Sequence, residues 1–424
     1  MFFNKSKNST NIDTIVKEPN YWEINSYLVF PMKDEEIKRD TIIKNLEKNK
    51  DLKLLGIAEP SDEKDGRLLF EYKKNKFEVF YYFNKFKLPG LLDYQVEDFT
   101  DEELKELTTC SNSLVLFMDT KELCKLRYKL QLTIGSLILD KVYAVLDESS
   151  EKVLHPSLVN MIVNSKYLPS DDLLYTIQVI VDNKKVWLHT HGLSRFGFPE
   201  VEILDSNLDI YKEQYSIITT LVNHLFDKGP VDNNIYLIGY LNNDFPFFIT
   251  LIPWQEAIKK YDDLTMGGLE DRQYEHNTNY KVIFTYESED KLDNNEYSKL
   301  SIFDNIIGND PLFLLSNTET NRISLVAQEQ FKYVKNAIKN ENNSILIKVG
   351  IVTDPQTNNR EHLWFELVEI IDDNHFKGKL VNKPFDDIDM VEGEIYTFEV
   401  NQITDWIIYM DDKTINPDTV YKIK

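Results

Sequence analysis

Apolar positions fall in short runs between polar turns, and their spacing predicts intermixed strands and helices from about residue 20 onward. Residues 1–19 are polar and rich in Asn and Lys, as a flexible tail would be. Tyr27–Phe30 reads as a strand ended by Pro31, and Asp34-Glu35-Glu36 opens a helix reaching about Lys48. Leu52–Ala58 reads as the next strand, and Arg67–Tyr72 and Lys76–Phe83 as a hairpin turning at Lys73-Lys74-Asn75. Thr100 followed by Glu103 is a capping box. Leu114–Met118 is a short buried strand. Leu123, Leu126, Leu130, Ile134 and Leu137 recur at helical spacing, and Lys141–Leu146 is a strand again. This mixture predicts an α+β domain over 20–165.

A second α+β domain is expected over 166–290. Leu174–Val181 and Val186–His191 pair about Asp182-Asn183, and Val201–Leu204 extends the sheet. Tyr211, Tyr215, Ile218, Leu221, Val222 and Leu225 mark one helix face, stopped by Gly229-Pro230. Ile235–Leu241 and Phe247–Ile252 flank a turn at Asn242-Asn243-Asp244, and Pro253-Trp254 opens another helix. Residues 291–319 read as a linker. The last domain, 320–424, shows one helix over Ser324–Lys339. Strands follow at Ile345–Val352, Leu363–Ile371, Phe376–Leu380, Ile395–Val400 and Trp406–Tyr409, which suggests a barrel-like antiparallel sheet. The fold class is therefore α+β and multidomain.

At 424 residues the chain is long enough for roughly three domains, each with its own core. Its net charge of -23 repels phosphate backbones and anionic membranes, so neither nucleic acid nor membrane is an expected partner. A basic protein partner is compatible with this charge, and so is plain solubility, which is the favoured reading. Cys110 and Cys124 are too few for a disulfide framework, lack zinc spacing and read as core residues. No secretion signal opens the chain and no run reaches the ~20 apolar residues of a membrane helix, so a cytoplasmic location is expected.

The densest chemistry lies between His189 and Glu202. Alternation along a strand puts Trp187, His189 and His191 on one face. The histidines either chelate a metal, with Glu200, Glu202 or Asp205 completing the shell, or form a hydrogen-bonded pair at a strand end. Arg195 is expected to pair with Glu200 or Glu202. The order Gly192-Leu193-Ser194-Arg195-Phe196 lacks the last glycine of a nucleophile elbow. No phosphate loop, dinucleotide fingerprint or His-Glu-x-x-His occurs. Asp386-Asp387-Ile388-Asp389 lacks the order of a calcium loop and reads as a solvated turn. Gly267-Gly268, with Arg272 and His276 beyond it, is either a ligand-approach loop or a plain turn. Trp364 and Trp406 are expected in the last core.

Two resemblances accompany these residues. The text Trp187-Leu188-His189-Thr190-His191-Gly192, Arg195, Gly197, Pro199-Glu200-Val201-Glu202, Pro253-Trp254-Gln255-Glu256-Ala257 and Gly267-Gly268 to His276-Asn277 resembles a bacterial domain-of-unknown-function family over about 20–290. Leu363-Trp364-Phe365, Phe376-Lys377-Gly378-Lys379-Leu380, Asn382, Gly393-Glu394 and Asp405-Trp406 resemble the YegJ-like family over about 320–410. Neither resemblance implies an activity or a catalytic residue. They suggest bacterial conflict proteins such as toxin-immunity pairs, by context alone.

The sequence thus leads to a non-enzymatic interaction protein without a cofactor, of which an immunity-like protein is one concrete form, with a candidate cluster of His189, His191, Arg195, Glu200, Glu202, Arg272 and His276. The C-terminal marks are Trp364, Gly378, Asn382, Asp405 and Trp406. The alternatives are a metal-assisted hydrolase centred on His189 and His191, and a small-ligand sensor using the Gly267-Gly268 loop.

Overall fold

Period-two patterning builds three sheets. A computed structural model of the chain describes residues 25–60, 65–88, 96–120, 122–241, 245–272, 279–307, 312–313, 317–354, 359–385 and 388–423. Contacts divide the chain into two units, one from Met1–His155 and Asp171–Leu315 and the other from Pro156–Ser170 and Ser316–Lys424. The architecture is mixed α+β.

The first sheet comprises β1 (Asn25–Met32), β2 (Lys53–Ala58), β3 (Gly66–Tyr72), β4 (Asn75–Lys85), β5 (Asn112–Asp119), β6 (Val145–Asp147) and β7 (Lys152–Leu154), in the order β2-β3-β4-β5-β1-β6-β7. The helices around it are α1 (Arg39–Leu46), α2 (Asp101–Leu107) and α3 (Cys124–Ile138). α3 packs on β1 and β5, where Gly135 lets the Phe30 ring lie against the helix backbone. Pro31 does not end its strand. It pairs with Ser113 inside β1, and β6 reaches only Leu28 and Val29, so no ladder donor is needed from Pro31 on that side. The first helix begins later than the acids suggest, and Glu35 pairs with Lys85 instead, 2.8 Å away. The hairpin turn has Lys73 and Lys74 at φ 47° and 69°. The capping box forms, Glu103 Oε2 accepting the Thr100 N–H at 2.8 Å. Cys110 is buried, Cys124 half-buried, and both are free thiols.

The chain next forms α4 (Pro156–Asn164), part of the second unit, and then returns to the first. There lie β8 (Thr176–Asp182), β9 (Lys185–His191), β10 (Glu200–Asn207), α5 (Tyr211–Lys228), β11 (Ile235–Leu241), β12 (Phe245–Pro253), α6 (Trp254–Ala257), β13 (Tyr280–Thr285), α7 (Glu289–Asp293), β14 (Ser298–Lys299), α8 (Asp304–Ile307) and β15 (Leu312–Phe313). The second sheet runs β15-β11-β12-β13-β10-β9-β8, with β14 also on β13, and its β10–β13 pairing is parallel. One face meets α5, burying Ile217, Ile218, Leu221 and Val222 against Val186, Leu188, Val201 and Ile203. Tyr215 departs from the expected stripe and is exposed. The other face packs Trp187, Leu204, Trp254, Tyr280, Val282 and Phe284. The segment expected as a linker carries Leu300, Phe303 and Ile307 into the α5-side core. The expected Asn242–Asp244 turn lies outside the described residues.

The second unit adds α9 (Asn317–Glu329) and α10 (Phe331–Ala337), which replace the single helix expected, and then β16 (Ser344–Asp354), β17 (Asn359–Ile370), β18 (His375–Leu380), β19 (Ile395–Glu399), β20 (Ile403–Tyr409) and β21 (Thr414–Ile415). The order β19-β18-β17-β16-β20-β21 is open, so the barrel-like expectation is corrected to an antiparallel sheet. β19 and β21 lie at its opposite ends, and one face is covered by α9, with Ala327, Phe331 and Trp406 in the core. Among the described residues, no helix is long and apolar enough to cross a membrane.

Candidate functional site

The His189–Glu202 segment folds as the end of β9, a single helical turn at Ser194–Phe196 and the start of β10. Glu202 lies opposite His189 in the ladder, so their side chains share the face that carries Trp187. Glu202 is fully buried. One carboxylate oxygen accepts the Trp187 indole N–H at 2.9 Å, and the other accepts from Arg272 at 2.6 Å. Arg272 also donates to the Gly267 carbonyl at 2.7 Å, and its guanidinium lies 4.4 Å from the Trp254 ring centre. Gly267 has φ +73°, and a Cβ there would fall 2.4 Å from Leu204 Cδ2. The glycine pair is thus a turn that presents a carbonyl to Arg272, with Gly267 packed on the sheet. Burial raises the Glu202 pKa, against the pull of Arg272 and Trp187.

Glu200 holds the loop. Its Oε1 accepts the Gly192 and Ser194 backbone N–H groups, each at 2.9 Å, and the Ser194 hydroxyl at 3.1 Å. Its Oε2 accepts from Thr190 Oγ1 at 2.6 Å. Burial raises this pKa too, outweighing those four donors. His189 stacks on Trp187 at 4.1 Å between ring centres and meets the edge of His191 at 4.9 Å. Tyr280 gives its proton to the Thr190 carbonyl at 2.5 Å, so the contact at His191 Nδ1, 3.2 Å away, has the imidazole N–H as donor.

Arg195 does not pair with Glu200 or Glu202, which corrects the expected loop ion pair. Its guanidinium reaches the first sheet, donating to Asp147 at 2.6 Å, to Ser26 Oγ at 3.2 Å and to the Leu174 carbonyl. Both charges of the Arg195–Asp147 pair are buried. The correction has a simple cause: Glu200 is filled by its own loop, and Glu202 by Arg272. The structure therefore brings His189, His191, Glu202 and Arg272 together, sets Glu200 beside them as a clamp and sends Arg195 elsewhere. His276 lies outside the described residues. Trp254, Tyr280 and Asp147 complete the arrangement and were not among the candidates. Only Trp254 had a signal, its place after Pro253 at a strand end.

In the second unit Trp406 is fully buried and donates its indole N–H to the Ala327 carbonyl at 2.9 Å. Trp364 departs from the core expectation. Its neighbours Leu363 and Phe365 point inward, so Trp364 is half-buried on the other face, with Lys348 5.4 Å from its ring centre. Asn382 Oδ1 accepts the Trp364 backbone N–H at 2.9 Å, and Gly378 leaves room for Phe365. Asp405 stands opposite Lys348 and accepts the Trp406 backbone N–H at 2.8 Å. Burial raises its pKa.

Chemically, the cluster between β9 and β10 is buried, and its two carboxylates are filled by their own neighbours. The carboxylates that a metal would need are engaged by N–H and O–H donors. Among the described residues, no three His, Cys, Asp or Glu side chains form a group that could hold a metal ion.

Comparison with known families gives three matches. Residues 26–169 match the N-terminal part of a protein family of unknown function, DUF4026, and residues 177–284 match its C-terminal part. Residues 317–424 match DUF2314, an uncharacterized protein conserved in bacteria, a description that does not carry the YegJ-like name. No curated protein and no solved structure matches the chain. The chain belongs to the DUF4026 family, whose two parts it carries in order, followed by a DUF2314 domain.

Proposed function

We propose that the protein is a non-enzymatic, cytoplasmic binding module that takes a strand from a basic protein partner along β8. One observation carries this reading. β8 ends the second sheet, and Val179, Ile180 and Val181 on it are 36%, 40% and 50% exposed. Consecutive residues point to opposite faces, so apolar surface is open on both sides of this edge. Its seven pairs with β9 run without a bulge, and the strand contains neither proline nor glycine. Sheet edges are normally blunted by charge, bulges or proline, and a flat apolar edge is a template for strand addition. Asp182 is the one charged residue of the strand. The chain's charge of -23 favours a basic partner and steers its approach.

The test is co-purification of the full chain from its native cells at low salt, with a Val179→Lys/Val181→Lys variant in parallel. A stoichiometric basic partner kept by the native chain and lost by the variant is expected. No partner, or one that the variant keeps, overturns the reading.

A further inference from the structure

A cavity of about 530 Å³ opens beside the first sheet, a volume within the usual range of small-molecule sites. Its walls are the start of α1, Tyr81 and Phe83 on β4, and Glu59 and Pro60 just past β2. Two independent features leave hydrogen-bonding groups open there. The first is the start of α1. Lys38, the residue that precedes the helix, makes no side-chain cap. The first helical donor in use is the Thr41 N–H, bonded to the Lys38 carbonyl at 2.9 Å. The N–H groups of Arg39 and Asp40 therefore have no acceptor among the described residues, at the positive end of the helix dipole.

The second feature is Tyr81. It stands opposite Gly66 in the β3–β4 ladder. A Cβ on Gly66 would fall 2.5 Å from Tyr81 Cε1, 2.6 Å from its Cζ and 2.8 Å from Pro60 Cδ. The glycine thus lets the phenol end of the ring and Pro60 meet over the β3 backbone. Tyr81 is only 1% exposed, and its hydroxyl has no hydrogen-bond partner among the described residues. Such orphaned groups are rare in folded proteins, because each has given up its bond to water. Burial and the Glu59 carboxylate push the hydroxyl pKa up to about 12, while the Arg39 guanidinium pulls it down. At neutral pH the hydroxyl is therefore an uncharged donor that feels both charges.

Charge decides the class of ligand. Glu36, Asp40 and Glu59 line the cavity against Lys38 and Arg39, three acids to two bases. An anion alone would meet a net negative rim. A cation alone would leave the helix donors unused. Arg39 and Glu59 are exposed, and among the described residues neither enters an ion pair. A ligand that carries both charges suits this arrangement.

We propose that this cavity binds a free α-amino acid with an apolar side chain. Its carboxylate takes the Arg39 and Asp40 N–H groups, the Arg39 guanidinium and the Tyr81 hydroxyl. Its ammonium group faces Glu59. Its side chain lies on Ile37, Pro60 and Phe83, which supply the apolar part of the lining. The site belongs to the first sheet and is independent of the β8 reading, so each can fail alone.

Thermal shift and calorimetric titration of the full chain test it, with L-leucine, L-isoleucine, L-methionine and L-phenylalanine as probes. At least one is expected to raise the melting temperature and to bind saturably. The amide of that amino acid lacks the carboxylate, and its N-acetyl form lacks the ammonium group. Each is expected to bind at least about tenfold more weakly, since both lost contacts are charge-assisted. Tyr81→Phe is expected to weaken binding by about threefold or more, without lowering the melting temperature of the free chain. The hydroxyl that it removes has no bond to lose there. Glu59→Gln, at an exposed residue, is expected to weaken the amino acid and leave the affinity of its N-acetyl form unchanged. A Tyr81→Phe variant that melts lower and binds as the native chain does would overturn the part assigned to the hydroxyl. A flat response to all four probes, or equal affinity for the amide and N-acetyl forms, overturns the site.

Discussion

At the scale of single residues, the Glu202–Arg272 ion pair beside His189 ties the Gly267 turn to β10. Glu202 and Arg272 are both fully shielded from water, and the pair is flanked by Trp187 and Trp254. Removing one partner leaves a buried charge without compensation. Glu202→Ala or Arg272→Ala is therefore expected to cost about 3–5 kcal/mol in denaturant unfolding. A Glu202→Leu/Arg272→Met double variant, which removes both charges, is expected to lose much less. An additive loss would contradict the pairing.

The clamp formed by Glu200 has a pH signature. Burial raises its pKa in the folded chain, so the folded state holds its proton to higher pH than the unfolded state does. In that window the folded state binds more protons, and stability falls as pH rises above the ordinary glutamate value. Against Glu200→Gln, the native chain's stability should decline from about pH 4.5 upward until the folded-state pKa is passed. A rising difference would reverse the sign of the argument. Local chemistry of this kind was only half legible in the sequence. Alternation placed Trp187, His189 and His191 on one face correctly. The partner of Arg195 was not readable, because Asp147 is brought to it by the packing of two sheets from 48 residues away. Nearby Glu200 and Glu202 were the obvious choices by spacing, and were already occupied.

At the scale of elements, period and punctuation carried most of the information. The Thr100–Glu103 box and the Lys73-Lys74 turn sit where their residue types allow. Both turn residues are left-handed, which side chains with a Cβ adopt at a cost of roughly 1–2 kcal/mol each. Lys73→Asn/Lys74→Gly is expected to stabilise the first unit by about 1 kcal/mol or more, measured by thermal unfolding. An unchanged melting temperature would mean that the turn is already relaxed. Pattern alone could not separate a barrel from an open sheet, since closure depends on which strands meet. The return of β20 to β16 leaves β19 and β21 at opposite ends. Nor could it mark β8 as an exposed edge. Leu174–Val181 is apolar enough to read as a buried strand, and only the sheet order shows that nothing described pairs with its outer side.

At the scale of the whole molecule, the proposed function joins large negative charge to an apolar edge. In that proposal the charge draws a basic partner near, and the edge supplies affinity through backbone hydrogen bonds and aliphatic contact. Association should therefore slow as salt is added, while dissociation changes little, which stopped-flow mixing resolves. A salt-independent association rate would remove the electrostatic part of the account.

Hydrogen exchange along β8, with and without the co-purified partner, tests strand addition most directly. Asp182 and Lys185 close a two-residue hairpin, so the N–H groups of Ile177, Val179 and Val181 face away from β9. These three amides are predicted to gain protection when the partner binds, while their neighbours, already bonded to β9, change little. A partner that binds and leaves the three amides unprotected would contradict the account.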